Sequence, residues 1–326
     1  EMIEKYQDFV PRLQLMNQLR EKLRKERFEK GSINFQFPEV RVVLDERGKP
    51  VEIRLEEHGI AEQLIEEFMI AANRVVSEDM SWKGIPFIYR VHDQPDLDRL
   101  QEFNAFIHNF GYFLKGIQNQ VHPRALQDLL EEVQGKPEER VINTLLLRSM
   151  KKAIYAPSNI AHFGLAIDYY SHFTAPIRRY PDLMIHRIIK EALSRGVLPE
   201  KRIAKLEKTL PNVAEHCSLR ERRAMEAEID SVELKKLEYM LDKVGQEFDG
   251  IINGVTNYGI FVELENTVEG LVRVENMKDD YYIFNEKQYC LIGEHTGKVY
   301  RFGDKVRVII DNIDLDEREI DFLLVE

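Results

Sequence analysis

The sequence predicts an α+β protein in which a helix-rich part precedes a small closed all-β barrel. Three observations carry this. The 326 residues exceed the roughly 100 to 200 of a single domain. Apolar residues recur at helical spacing through most of the first 244 positions, and at Gly245 the pattern changes to alternation, with short runs separated by Gly, Asn and Asp. The expected domains are residues 1–245 and 246–326.

In chain order, Phe9 to Phe28 place Leu13, Met16, Leu19 and Leu23 at helical spacing, and Gly31 is the stop. A chain that opens within a helix, without a cap, reads as truncated. Val40 to Leu44 and Val51 to Leu55 flank a turn at Asp45 to Pro50 and form a hairpin. Ala61 to Val76 is an amphipathic helix, Ile85 to His92 a strand, and Leu97 to Leu114 a helix. Helices continue over Pro123 to Glu132 and Glu138 to Lys152, followed by a loop from Tyr155 to Thr174 rich in Gly, Ser, His and Tyr. Pro181 suits a first helical position, with that helix running to about Ser194. Pro199 to Leu210 and Asn212 to Val244 form a helical pair divided at Pro211. The barrel strands are expected at 248–252, 259–264, 269–272, 298–300, 304–310 and 319–322.

Formal charge is −11, which by itself opposes a nucleic-acid partner, yet the charge is uneven. From Glu247 onward 18 acidic residues face 8 basic ones, whereas Ser171 to Arg223 holds 12 basic and 6 acidic. Electrostatic footprints are local, so the second stretch can serve a polyanion. Only two cysteines occur, Cys217 and Cys290, and there is neither a secretory leader nor an apolar run of about 18 residues. A cytoplasmic protein without a disulfide framework or membrane span is the expectation.

Chemistry concentrates in one segment. His162 to Ala166 is followed by Tyr169, Tyr170, Ser171, His172, Phe173, Thr174, Arg178, Arg179, Tyr180, Pro181 and Asp182, then His186 and Arg187. Two guanidiniums ahead of a helix start place forked donors where an anion binds. Hydroxyls of Ser171 and Thr174 and the rings of Tyr169, Tyr170, Phe173 and Tyr180 suit sugar contacts and base stacking. Pairing of the arginines with Asp168 or Asp182 is the structural alternative. The histidines fit no zinc spacing, and Cys217 beside His216 is poorly placed for a nucleophile and base. Glu221, Glu226 and Glu228 lie among Arg220, Arg222 and Arg223, where surface pairing competes with a functional role.

The segment from His162 to Arg187 closely resembles the signature of the RNB catalytic domain of the ribonuclease II and ribonuclease R exoribonucleases. Arg27 to Ile33 with Phe35, Glu66 to Asn73, Tyr89 to Pro95, and His216 to Ser218 with Glu221 to Ala224 agree with it. The barrel, with Gly250, Gly254 to Val262 and Glu269 to Val272, is similar to an S1 RNA-binding domain, which implies an all-β barrel of the OB type, and the order of the two favours the ribonuclease R branch.

The resemblance implies processive 3′-to-5′ hydrolysis of single-stranded RNA to nucleoside 5′-monophosphates, with two Mg²⁺ ions held by an Asp-rich run. That run is absent from these residues, so the chain by itself is expected to be inactive; a non-catalytic RNA-binding module is the alternative. It also implies that Arg178 binds the phosphate at the scissile bond, that Phe35 stacks on the terminal base, and that Glu228 or Glu226 positions the 3′ end. Tyr170, His172, Thr174, Arg179 and Tyr180 are expected to contact RNA, as are Tyr258, Phe261 and Arg273 in the barrel. Ala175 departs from the hydroxyl residue usual in the family. The expected partner is single-stranded RNA with a free 3′ end, bound by a monomer, with ribosomes or RNA-decay factors as further partners.

Overall fold

The computed structural model describes residues 6–35, 39–56, 58–116, 121–136, 138–286 and 288–325. Helix α1 (Val10–Glu29) starts with proline in its first turn and leads to Gly31 at φ +98°, where a Cβ would lie 2.6 Å from the Arg124 backbone nitrogen. Strands β1 (Glu39–Leu44) and β2 (Pro50–Glu56) pair antiparallel as the expected hairpin, and β2 lies against the long helix described below. Helix α2 (Ile60–Trp82) follows, buried along Leu64, Ile70 and Met80.

Strand β3 (Tyr89–Val91) is shorter than the expected 85–92 and pairs antiparallel with β4 (Ile154–Ala156). Between them run α3 (Leu97–Ile107), α4 (Pro123–Val133) and α5 (Glu139–Ser149). The helix expected to reach Leu114 stops at Ile107 and passes through one 3₁₀ turn to Gly111 at φ +84°, a left-handed position that terminates it. Leu100, Ile107, Leu126, Ile142 and Leu146 form the core of this three-helix layer, and Phe302 from the barrel side inserts into it.

Helix α6 (Tyr180–Arg195) places Pro181 second rather than first. The expected helical pair is instead one helix, α7 (Glu200–Met240), with Pro211 inside it. Leu206, Leu210, Ala214 and Cys217 form one buried stripe across the proline and pack with Ile185 and Ile188 of α6. Burial of that stripe outweighs a proline cost of about 3 kcal/mol.

The barrel closes in the order β11 (Lys305–Asp314), β12 (Glu319–Leu324), β7 (Glu269–Arg273), β6 (Gly259–Leu264), β5 (Glu247–Val255). All pairs are antiparallel except β12 with β7. Gly270 permits closure, since a Cβ there would meet the Phe322 ring at 2.5 Å. Strands β8 (Tyr282–Asn285) and β9 (Cys290–Gly293) were not foreseen; with β10 (Val299–Arg301) they make a separate three-stranded sheet. Leu237 and Met240 of α7 enter the barrel core, and no helix among the described residues is long and apolar enough to cross a membrane.

Candidate functional site

The segment from Tyr155 to Arg179 has little regular structure, so its shape comes from hydrogen bonds to the elements beneath it. Arg90 N–H donates to the Tyr170 carbonyl at 2.9 Å and Phe163 N–H to the His92 carbonyl at 2.8 Å. Gly164 N–H donates to His92 Nδ1 at 3.0 Å, and a Cβ at that glycine would lie 2.8 Å from the same nitrogen. Asn73 of α2 grips the loop twice: its Oδ1 accepts from Phe173 N–H at 2.8 Å and its Nδ2 donates to the Tyr170 hydroxyl at 3.1 Å. Ile33 N–H donates to the Gly164 carbonyl at 2.8 Å, which brings the Phe35 segment alongside.

Arg178 and Arg179 part company. Arg179 donates through Nε at 3.2 Å and Nη2 at 2.7 Å to Asp182 Oδ1, which also accepts from Ala175 N–H at 2.8 Å. Asp182 is fully buried, so this pair is the structural role weighed above for an arginine, realised at Arg179. Arg178 is exposed and makes no side-chain hydrogen bond or ion pair among the described residues. The anchored neighbour therefore holds a free guanidinium at the start of α6. Thr174 Oγ1 and Asp182 Oδ2 are buried without partners.

Beneath this loop lies a network centred on Glu221. Arg90 Nη1 donates to Glu221 Oε2 at 2.6 Å, and the Arg90 guanidinium sits 4.6 Å from the Tyr155 ring centroid. The Tyr155 hydroxyl is 2.8 Å from His172 Nδ1 and 3.3 Å from Glu221 Oε1. Burial, then the charges of Arg179 and Arg90, push the His172 pKa down to about 2; burial and His92 push His162 to about 3. Both are neutral near pH 7, and burial raises the Tyr155 hydroxyl pKa. Neither Arg90 nor the role of Glu221 is evident from pattern alone. The available signal was an arginine between Tyr89 and Val91 in an apolar strand, which demands a counter-charge.

Glu226 and Glu228 are exposed on α7, without ion pairs to Arg220, Arg222 or Arg223. At 100° per residue Glu228 lies roughly 20° from Glu221 around the helix and Glu226 roughly 140°. Glu228 thus shares the face that meets the network. A cavity of about 720 Å³ is lined by Glu66, Met69, Asn73, Tyr170, His172 and Arg179. Tyr170 is 6% exposed and Tyr180 48%, so Tyr180 is the more accessible of the two rings, while Tyr170 is buried in the wall of this cavity.

In the barrel, Tyr258 is exposed and Phe261 half-buried, with ring centroids 6.0 Å apart at 88°, outside the core formed by Ile260 and Val262. Arg273 is neutralised by Asp321 and Glu319, each at 3.0 Å, and Lys298 and Arg307 pair with Asp279 and Glu247. His186 stacks on Phe173 at 4.2 Å, and burial raises the Cys217 thiol pKa, which suits neither metal ligation nor a nucleophile. Among the described residues no group of three or more His, Cys, Asp or Glu could hold a metal ion.

The RNB domain model matches residues 3–195, more than half of the chain. The chain belongs to the RNB family. The S1 RNA binding domain model matches residues 241–324, so the helix-rich part and the barrel correspond to RNB and S1 domains. Ribonuclease R 1 of Lactococcus lactis is 42% identical over 320 residues, covering 98% of this RNB chain and 39% of the relative. Ribonuclease R of Thermotoga maritima is 43% identical over 327 residues, covering 99% and 46%. The apo form of Mycoplasma genitalium RNase R superposes with a TM-score of 0.91 at 27% identity over 97% of this chain and 50% of that one. The RNB chain thus spans half or less of the length of these relatives.

Proposed function

We propose that this RNB chain is the RNA-gripping part of a 3′-to-5′ exoribonuclease that releases nucleoside 5′-monophosphates from single-stranded RNA. The carrying observation is Arg178, an unpaired guanidinium held at a helix start by the Arg179–Asp182 anchor. A structure of Mycoplasma genitalium RNase R contains ribose methylated single-stranded RNA, and it too superposes with a TM-score of 0.91. That supports RNA as the ligand here.

In this reading Arg178 binds the phosphate next to the scissile bond with charge-assisted hydrogen bonds. Phe35 and Tyr180 stack on bases, while Glu228, in preference to Glu226, accepts from hydroxyls of the 3′ end. Tyr170, His172, Thr174 and Arg179 shape the cavity wall; neutral His172 leaves the positive charge to the arginines. Tyr258 and Phe261 stack on the strand at the barrel, where the neutralised Arg273 adds little charge. The Mg²⁺ pair implied by the family is not fitted by the described residues, so no step is routed through it and these 326 residues alone are proposed to bind without hydrolysing. We also place the protein in the cytoplasm as a monomer, a reducing setting in which the buried free thiols Cys217 and Cys290 persist.

The test is twofold. Arg178→Ala should weaken binding of 3′-extended single-stranded RNA by roughly 10- to 100-fold, with Arg178→Lys intermediate. Release of nucleoside monophosphates in Mg²⁺ should be absent from these 326 residues and present when they are joined to an Asp-rich RNB half. Hydrolysis by the 326 residues alone would reveal a metal site elsewhere in the chain. RNA binding with no hydrolysis in the joined protein would establish the binding-module alternative.

A further inference from the structure

The His172 ring stands edge-on between Tyr155 and Tyr170, with centroids 5.6 and 6.0 Å away at 74° and 79°, so its orientation is fixed from two sides. Its two nitrogens have different surroundings. Nδ1 is 2.8 Å from the Tyr155 hydroxyl, whereas Nε2 makes no hydrogen bond among the described residues and is not one of the enclosed polar atoms. The half-buried ring lines the cavity of about 720 Å³ beside Arg179, and the free nitrogen opens on it.

Distances decide where the protons sit. Tyr155 has one hydroxyl proton and two acceptors in reach, Nδ1 at 2.8 Å and Glu221 Oε1 at 3.3 Å. A phenol donating to a carboxylate would close to about 2.5 to 2.7 Å. Glu221 is instead met by Arg90 Nη1, at 2.6 Å on Oε2. Tyr155, which burial keeps protonated, therefore donates to Nδ1. Burial and the charges of Arg179 and Arg90 keep the imidazole neutral, and a neutral imidazole whose Nδ1 accepts carries its own proton on Nε2.

The cavity is thus offered a fixed, uncharged N–H donor. A phosphate matches it poorly: Glu62 and Glu66 place carboxylates on the wall, and the guanidinium there, Arg179, is neutralised by Asp182. Ile65, Met69 and Leu165 add apolar surface. A ribose hydroxyl is uncharged, accepts from an N–H and donates to a carboxylate, and the 2′-hydroxyl is what separates RNA from DNA. We propose that His172 is a specificity-determining residue whose Nε2–H donates to the 2′-hydroxyl of a ribose in this cavity, with Tyr155 as the positioning residue that sets its tautomer. This rests on RNA binding at the Arg178 site and names what the adjoining cavity reads.

Fluorescence anisotropy of the 326-residue chain with 3′-extended single strands, all-ribo or with the 3′-terminal nucleotides made 2′-deoxy one at a time, tests it. One such substitution should weaken binding about tenfold, the size of one buried hydrogen bond. The amide of His172→Asn reaches only the Nδ1 position and keeps Tyr155, so there that penalty should vanish: the all-ribo strand weakens about tenfold and the substituted strand binds as before. His172→Gln, whose amide reaches the Nε2 position, should restore most of the preference, and Tyr155→Phe should shrink it to about threefold. Nitrogen NMR of the unmodified protein, which needs no variant to fold, should show His172 protonated at Nε2 and bare at Nδ1. The opposite tautomer, a ribose preference unchanged in His172→Asn, or an equal loss for all strands, as a phosphate contact would give, would each overturn the proposal and leave RNA binding at Arg178 standing. Failure to bind any strand would overturn the Arg178 reading and this one with it.

Discussion

Two adjacent arginines of identical chemistry have opposite fates, and stability and binding should separate accordingly. Arg179→Ala strands a fully buried Asp182 carboxylate, and loss of one member of a buried pair costs about 3 to 5 kcal/mol. A urea melt should show that loss for Arg179→Ala and almost none for Arg178→Ala, whose exposed side chain makes no hydrogen bond or ion pair among the described residues. The histidines make a second prediction. His172 and His162 have folded pKa values near 2 and 3, below the usual 6.5 of the unfolded chain. The unfolded state therefore binds more protons as pH falls below 6.5, so their contribution is intact above that value and lost on descent toward the folded values. Each histidine has a limiting slope of about 1.4 kcal/mol per pH unit, and between pH 6.5 and 5 few carboxylates titrate. Melting temperature should fall across that window, and fall less in His172→Asn; an unchanged profile would contradict a buried neutral imidazole.

At the scale of elements, α7 shows what propensity leaves undetermined. Pro211 removes one helical donor and crowds the preceding turn, yet its exposed position leaves the buried stripe intact. Pro211→Ala should therefore stabilise the fold by about 1 to 3 kcal/mol, seen as a higher denaturation midpoint with unchanged helical circular dichroism. A lower midpoint would mean that the proline shapes a bend on which α7 depends. The amphipathic helices and the strands flanked by Gly, Asn and Asp were readable because their periods are local. Strands β8 and β9 were not: β9 pairs with β8 and with β10 across short connections, but runs of four residues are too short to show a period. Asp280 depends on contacts further along the chain: it accepts from His295 N–H and Thr296 N–H instead of offering a metal ligand.

For the molecule as a whole, charge and stacking are divided between its two parts. The basic stretch from Ser171 to Arg223 belongs to α6, α7 and the loop before them, whereas barrel cations such as Arg273 and Arg307 are paired with carboxylates. Salt should therefore act through the first part: Arg178→Ala should reduce the slope of log affinity against log salt by about 0.7, the single-strand value per phosphate. Tyr258→Ala should cost about 1 to 3 kcal/mol of affinity while the slope stays constant. Equal slope changes in both variants, in salt titrations with a fluorescent single strand, would show that the division is false. The two parts remain in contact, since Phe302 enters the helical core and Gly303 packs where a Cβ would be 2.8 Å from Val141.

The fold class, the change of period at Gly245 and the signature around Arg178 were determined by sequence alone, because periodicity and turn chemistry are properties of neighbouring residues. Which arginine is free, and that Arg90 and Glu221 support His172, were decided only by tertiary structure. Arg90 and Glu221 are 131 positions apart, and the charge of each acquires its role from burial beside the other.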